Sequence, residues 1–147
     1  MTTENSRSGD EAAIRRMIED WLDALRAKDA EAVVAHQAPS FVQYSLAPPL
    51  RSDAANAAGL NAWFDTWDGA MRYELRDLEV VVDGTVAFCH GMLRMSGTKV
   101  DGERPDLWFR LTLCPCKLAG AWKIMHLHES VPFYMDGSYR AAVDLVP

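Results

Sequence analysis

The stretch Ala121-Trp-Lys-Ile-Met-His-Leu-His-Glu-Ser-Val-Pro-Phe133 reads as the last strand of an antiparallel sheet. A tight turn at Ala119-Gly120 leads into it and Pro132 stops it. Strand side chains alternate between two faces. Uninterrupted alternation puts Trp122, Ile124, His126, His128 and Ser130 on one face, and Lys123, Met125, Leu127, Glu129 and Val131 on the other. The face turned to the core decides whether an interior cavity receives a carboxylate or two imidazoles.

Three more strands precede this one. Met71, Tyr73 and Leu75 alternate with Arg72, Glu74 and Arg76, and the apolar phase then slips to Leu78, Val80 and Val82. A slip of phase within one strand predicts a β-bulge, which bends a sheet. Asp83-Gly84 is a hairpin signal leading to a strand over Thr85 to Thr98, and Asp101-Gly102 leads to another over Asp106 to Leu118.

Helices come first in the chain. Ile14, Met17, Ile18, Trp21, Leu22 and Leu25 form one apolar stripe, predicting a helix from about Asp10 to Lys28 with Ser8 and Glu11 as a capping box. Asp29 caps a second helix that ends near Ala38, before Pro39. Phe41 to Leu46 is a short strand closed by Pro48-Pro49. Ser52 then caps a third helix carrying Leu60, Trp63, Phe64 and Trp67, which Asp68-Gly69 ends. Helices followed by a four-strand meander make an α+β domain, with the helices covering the apolar face of a bent sheet. Residues 1–9 are expected to be a disordered N-terminus and residues 10–147 one domain, with the tail after Tyr134 lying over the body.

A length of 147 residues suits one core, and 49% apolar with 24% charged residues is ordinary for a globular protein. The net charge of -6 argues against nucleic acid or an anionic membrane as partner. No apolar run approaches the roughly 20 residues of a membrane span. Three cysteines make no disulfide framework, and a cytoplasmic protein with free thiols is expected.

Ala87, Cys89, Gly91, Leu93 and Met95 share a phase, as do Leu107, Phe109, Leu111 and Leu113; with Met125 and Leu127 these are expected to face the helices. The opposite phases mix aromatic, Met, Arg and His residues, a composition suited to a partner interface. His90, Arg94, Trp108, Arg110, His126 and His128 therefore form the expected dimer face.

The order of helix, helix, short strand, helix and meander resembles the nuclear transport factor 2-like superfamily, and within it the SnoaL-like and ketosteroid-isomerase-like domains. Trp21-Leu-Asp-Ala-Leu-Arg-Ala-Lys-Asp29, Leu46-Ala-Pro-Pro-Leu50, Asp106-Leu-Trp-Phe-Arg-Leu-Thr112 and Gly120-Ala-Trp-Lys-Ile-Met-His-Leu-His-Glu-Ser130 carry the likeness, over about residues 10 to 133. The resemblance implies a cone, in which a curved antiparallel sheet wraps three N-terminal helices around a pocket, with homodimers joined through the outer sheet face. Its last strand also resembles the association domain of calcium/calmodulin-dependent kinases, a non-enzymatic relative.

Met17, Trp21, Tyr44, Ser45, Trp63 and Trp67 are the expected pocket residues from the first half, with the tryptophans equally readable as plain core. Leu93, Leu107, Phe109, Leu111, Met125 and Leu127 are those from the meander. Ketosteroid isomerases use a carboxylate base with a Tyr and a protonated Asp as oxyanion donors. The resemblance puts Ser45, Trp21 and Leu107 at those positions, with Asp106 one residue away, so all three roles are lost. Glu129, in the pocket phase, is the candidate catalytic group. A general base, an amine-binding group and half of a salt bridge with Arg26, Lys28 or another basic residue are all open to it. Two histidines at i and i+2 on a strand are able to bind zinc when neighbours supply further ligands. Cys114 and Cys116 are expected across the hairpin from His126 and His128, with His90 within reach. The competing reading is an interface pair of histidines, and no metal or cofactor is expected. Cys114-Pro-Cys116 lacks the two-residue spacing of a redox pair.

The functional expectation is a SnoaL-like enzyme, a cyclase, isomerase, hydratase or hydrolase, acting on a small apolar polyketide- or steroid-like molecule. The alternative is a non-catalytic binding or dimerisation domain.

Overall fold

The computed structural model describes residues 3–53 and 56–147. Helix α1 (Thr3–Arg26) is followed by α2 (Ala30–Ala35), β1 (Gln37–Tyr44), β2 (Ser52–Asp53) and α3 (Ala57–Phe64). The meander β3 (Trp67–Asp83), β4 (Val86–Lys99), β5 (Asp106–Leu118) and β6 (Ala121–Ser130) completes an open, curved six-stranded sheet of order β2-β1-β6-β5-β4-β3. The architecture is the predicted α+β one. The sheet is not wholly antiparallel, because β1 pairs with β6 in parallel.

The predicted apolar stripe of α1 is buried, from Ile14 to Leu25. The helix begins earlier than the predicted Asp10, so Ser8 and Glu11 lie inside it and form no capping box. Met1 and Thr2 lie outside the described residues; Thr3 to Gly9, expected to be disordered, are helical. Helix α2 stops at Ala35 because β1 starts at Gln37. Pro39 falls within β1 where its pairing with β6 is irregular, between Gln37 and Val42, a place that spares a ladder donor.

Ser52 does not cap α3. It pairs with Gln43 in β2, and Asn56 caps instead, its side chain accepting from the Gly59 N–H at 2.6 Å. Helix α3 ends at Phe64, before Trp67, which opens β3. The turn between them is held by the Thr66 hydroxyl, which donates to the Trp63 carbonyl at 2.7 Å, and by Val100 N–H donating to the Thr66 carbonyl at 3.0 Å.

The bulge predicted in β3 is present. Its register with β4 shifts between Arg76 and Glu79, and Asp77 takes a positive φ of 56°. Gly91 lies beneath it, where an added Cβ would stand 3.0 Å from the Arg76 carbonyl oxygen and 3.4 Å from the Leu78 Cα. Only glycine lets the two backbones approach this closely.

A further irregularity, not foreseen, lies in β6. Cys114 pairs with His126 but Pro115 pairs with Ile124, leaving Met125 as an extra residue. Trp122 and Ile124, placed outside by strict alternation, are therefore buried in the core, as is Leu127 beyond the bulge. The Trp122 indole N–H donates to Asp10 of α1 at 3.1 Å, and Lys117 binds the same carboxylate oxygen at 3.0 Å. This contact anchors the first half of β6 to the helix.

The tail makes its predicted turn, with Asp136 accepting from the Ser138 N–H at 2.9 Å. It folds back on itself through a Phe133–Ala141 bridge and buries Ala142.

Candidate functional site

A cavity of about 540 Å³ lies between the inner sheet face and the helices. Trp21 and Leu25 of α1, Val33 of α2, and Leu60 and Trp63 of α3 form one side. Phe41 of β1, Tyr73 of β3, Met95 of β4, Phe109 of β5, and Ile124, Leu127 and Glu129 of β6 form the other. Gln37, Gln43, Ser45, Ser52, Asp53 and Asn56 supply most of the polar lining among the described residues.

Of the predicted pocket residues, Trp21, Ser45, Trp63, Phe109, Leu127 and Glu129 line this cavity. Met17, Leu93 and Leu111 belong instead to the solid core, at 7%, 0% and 2% exposure, because α1 packs directly on the sheet there. Leu107 packs against the core off the cavity; its register partner Met95 lines the wall. Tyr44 points to the outer face, its ring 4.9 Å from that of His126 and 5.4 Å from that of His128. Trp67, displaced from helix to strand, packs on Gly97 with the Lys99 Nζ 4.1 Å from its ring centre. Met125 is the bulge residue, and Ile124 occupies the wall in its place.

Glu129 pairs in register with Leu111 and turns inward. The expected salt bridge is absent. Arg26 binds Asp23 at 2.7 Å and donates to the Tyr73 carbonyl at 2.9 Å, and Lys28 donates to the Trp67 carbonyl at 2.8 Å. Among the described residues, no basic side chain is paired with Glu129. Desolvation therefore pushes its pKa up to about 7, against the smaller opposing effect of the Leu46 backbone amide.

Tyr73 is the residue that sequence reasoning missed. Its pKa is raised, first by burial and then by the charge of Glu129, so it remains a protonated donor. Among the described residues its hydroxyl reaches only the Met95 sulfur, at 3.5 Å. The available signal was its apolar phase: Tyr73 alternates in step with Met71 and Leu75, so a hydroxyl rides on an inward-facing row.

Ser45 lines the cavity, but its hydroxyl donates to the Ala47 carbonyl at 2.9 Å, and among the described residues no base is hydrogen-bonded to it. Asp106 lies outside, bound by Arg94 through two hydrogen bonds of 2.7 and 2.8 Å, which hold its pKa below the usual carboxylate value. Neither residue can serve as the ketosteroid-isomerase base or protonated acid.

The six outer-face residues stand where alternation put them. His90 lies 3.4 Å from the Glu79 carboxylate, Arg76 covers the Trp108 ring at 4.9 Å, and Arg110 donates to Ser130 at 3.1 Å. His126 Nδ1 is 2.8 Å from the Val42 carbonyl oxygen. Cys114 is the register partner of His126, but Cys116 is buried and pairs with Lys123 past the bulge, so the imagined ligand set does not assemble. Among the described residues no group of three or more His, Cys, Asp or Glu is arranged to hold a metal. No helix among them is long and apolar enough to cross a membrane.

A curved sheet closed by helices over an apolar cavity with one desolvated carboxyl defines the class: an α+β domain with a small interior chamber. The family model of the SnoaL-like domain matches residues 14–134, and the chain belongs to that family. A solved nuclear transport factor 2-like protein of unknown function from Pseudomonas putida KT2440 is similar, at 27% identity over 95% of this chain and 98% of that one, with a TM-score of 0.84. A candidate scytalone dehydratase from Novosphingobium aromaticivorans DSM 12444 shares the fold at 19% identity, 95% coverage of both chains and a TM-score of 0.78. A candidate dehydratase of the nuclear transport factor 2-like family from Streptomyces avermitilis does so at 13% identity, covering 84% of this chain and 97% of that one, with a TM-score of 0.74. No curated protein matches the chain.

Proposed function

We propose that the cavity is a catalytic pocket for a small, mainly apolar organic molecule, and that Glu129 is its acid–base group. The observation that carries this reading is a carboxyl without a basic partner among the described residues, placed beside Leu127 in an aromatic-walled cavity, with its pKa near 7. A group that titrates near neutrality is able to take a proton and return it within one turnover. Elimination or isomerisation beside a carbonyl uses it in this way. Ionised Glu129 removes a proton from the carbon next to the carbonyl. The electron pair moves into the carbon–carbon bond as the hydroxyl on the next carbon leaves, and the proton on Glu129 passes to that oxygen to form water. Two fold relatives described as candidate dehydratases agree with this class of reaction.

The test is a panel of bicyclic β-hydroxy ketones followed by absorbance as the conjugated product forms. Conversion by the wild type, with Glu129→Gln slower by at least about a hundredfold, is the expected result. Equal rates for the two proteins would remove Glu129 from the mechanism. Binding without conversion across the panel would favour a non-catalytic ligand-binding domain.

We also propose that the outer face bearing Trp108, Arg94 and His128 pairs with a second copy. Support comes from the half-buried Trp108 ring, flanked by Arg76 and Arg94 rather than covered by apolar packing.

A further inference from the structure

Two of the hydrogen-bonding groups that line the cavity are of opposite character. Glu129 accepts, and Tyr73 carries a hydroxyl whose proton, among the described residues, meets only a thioether sulfur at 3.5 Å, a weak acceptor. A part-buried hydroxyl left with so poor a partner gains most from a ligand oxygen. Arg26 fixes the strand at this point by donating to the Tyr73 backbone carbonyl at 2.9 Å, so the ring is presented from a held backbone.

The charge of the lining points the same way. Among the described lining residues there is no Lys, Arg or His. The two carboxylates are Glu129 and Asp53, and Asp53 is already bound by Arg51 at 2.8 Å. An anion entering the chamber therefore loses its water, meets no cation and faces Glu129. A neutral molecule incurs neither cost.

We propose that Tyr73 is the hydrogen-bond donor to the ligand and that the cavity selects an uncharged ketone or similar carbonyl compound over its anionic counterpart. This deepens the reading of the pocket given above and shares its assignment of the cavity as the ligand site. It does not depend on Glu129 performing chemistry, because it is tested by binding alone.

Three probes of one shape separate the terms: 2-acetylnaphthalene, 2-ethylnaphthalene and 2-naphthoate, titrated by calorimetry at pH 8 into wild type and Tyr73→Phe. The expected result is that the ketone binds wild type at least tenfold more tightly than the naphthoate. Tyr73→Phe is expected to lose about tenfold for the ketone with the hydrocarbon unchanged. The carbonyl stretch of the bound ketone is expected at lower frequency in wild type than in the dry solvent hexane, a reading that stands even if Tyr73→Phe does not fold. Unaltered ketone affinity in a folded Tyr73→Phe, an unshifted carbonyl stretch, or naphthoate binding as tightly as the ketone overturns the proposal. So does a failure of all three probes to bind at millimolar concentration. Loss of turnover in Glu129→Gln with these affinities unchanged would leave both readings in place. Normal turnover in that variant would sink only the catalytic one.

Discussion

Leu111 and Glu129 are register partners across β5 and β6, so the cavity carboxyl stands next to a leucine that is 2% exposed. The pair shows how a charge-bearing residue sits on a row otherwise built for packing. Its ionisation is opposed by loss of water, while no cation offsets that loss among the described residues.

Stability should therefore fall as pH rises. The folded-state pKa of Glu129, about 7, lies above its ordinary value of 4.5, so between these values the native state holds the proton more tightly than the unfolded chain does. The stabilising contribution of the protonated form is fully present below about pH 4.5 and is lost by the time pH passes 7. Glu129→Gln should match wild type near pH 4 and exceed it at pH 8, by about 3 kcal/mol at most. Urea denaturation at the two pH values checks it; a difference independent of pH speaks against desolvation.

For any substrate found, the rate should depend on pH through the same group. If ionised Glu129 is the base, kcat/KM rises with pH and levels off above about 7. A profile flat from pH 5 to 9 would exclude this carboxylate as the base.

Gly91→Ala should destabilise the fold by about 1–3 kcal/mol, through overpacking against backbone rather than a movable side chain. The added methyl meets the Arg76 carbonyl oxygen at 3.0 Å, at the bulge of β3. Denaturant titration measures it, and an unchanged midpoint would show that the bulge gives way freely.

No isomerisation of a Δ5-3-ketosteroid is expected. Ser45 donates to a backbone carbonyl and Asp106 is held ionised by Arg94 on the far face, so the positions that supply the base and the protonated acid in ketosteroid isomerases supply neither here, and Glu129 stands on a different strand position. Ultraviolet assay for the conjugated product decides the matter.

Sedimentation at micromolar concentration should show a dimer, and Trp108→Glu should shift it toward monomer. An interface of the usual size buries roughly 1,200–2,000 Å² in all. A wild-type monomer would end the outer-face proposal.

Much of the fold was legible because its signals are local. The α1 stripe, the Asp-Gly turns and the alternation in β4 and β5 each depend on neighbours within a few residues. The bulge in β3 was readable because it shifts an apolar phase that is visible on both sides. The one in β6 was not, since Trp122, Ile124, Met125 and Leu127 are all apolar and any of them suits the inside. What settles it is the Trp122 contact with Asp10, more than a hundred positions away in sequence. The site was half legible for the same reason. Glu129 came from its phase relative to Leu127, whereas Tyr73 draws its meaning from a strand three places away in the sheet. Tyr44 and Trp67 were misassigned because their direction depends on where β1 and α3 end, which tertiary pairing decides.

The extra residue at Met125 has a consequence for how such a domain changes its chemistry. Inward and outward positions along β6 are set by a count of residues modulo two, and the bulge resets that count between Ile124 and Leu127. A single residue inserted between Leu127 and His128, absorbed within the strand, would send the carboxylate to the surface and draw the imidazole of His128 into the chamber. The identity of the titrating group in this fold is thus carried by the length of a strand as well as by its letters, and one step in length exchanges an acid for a base.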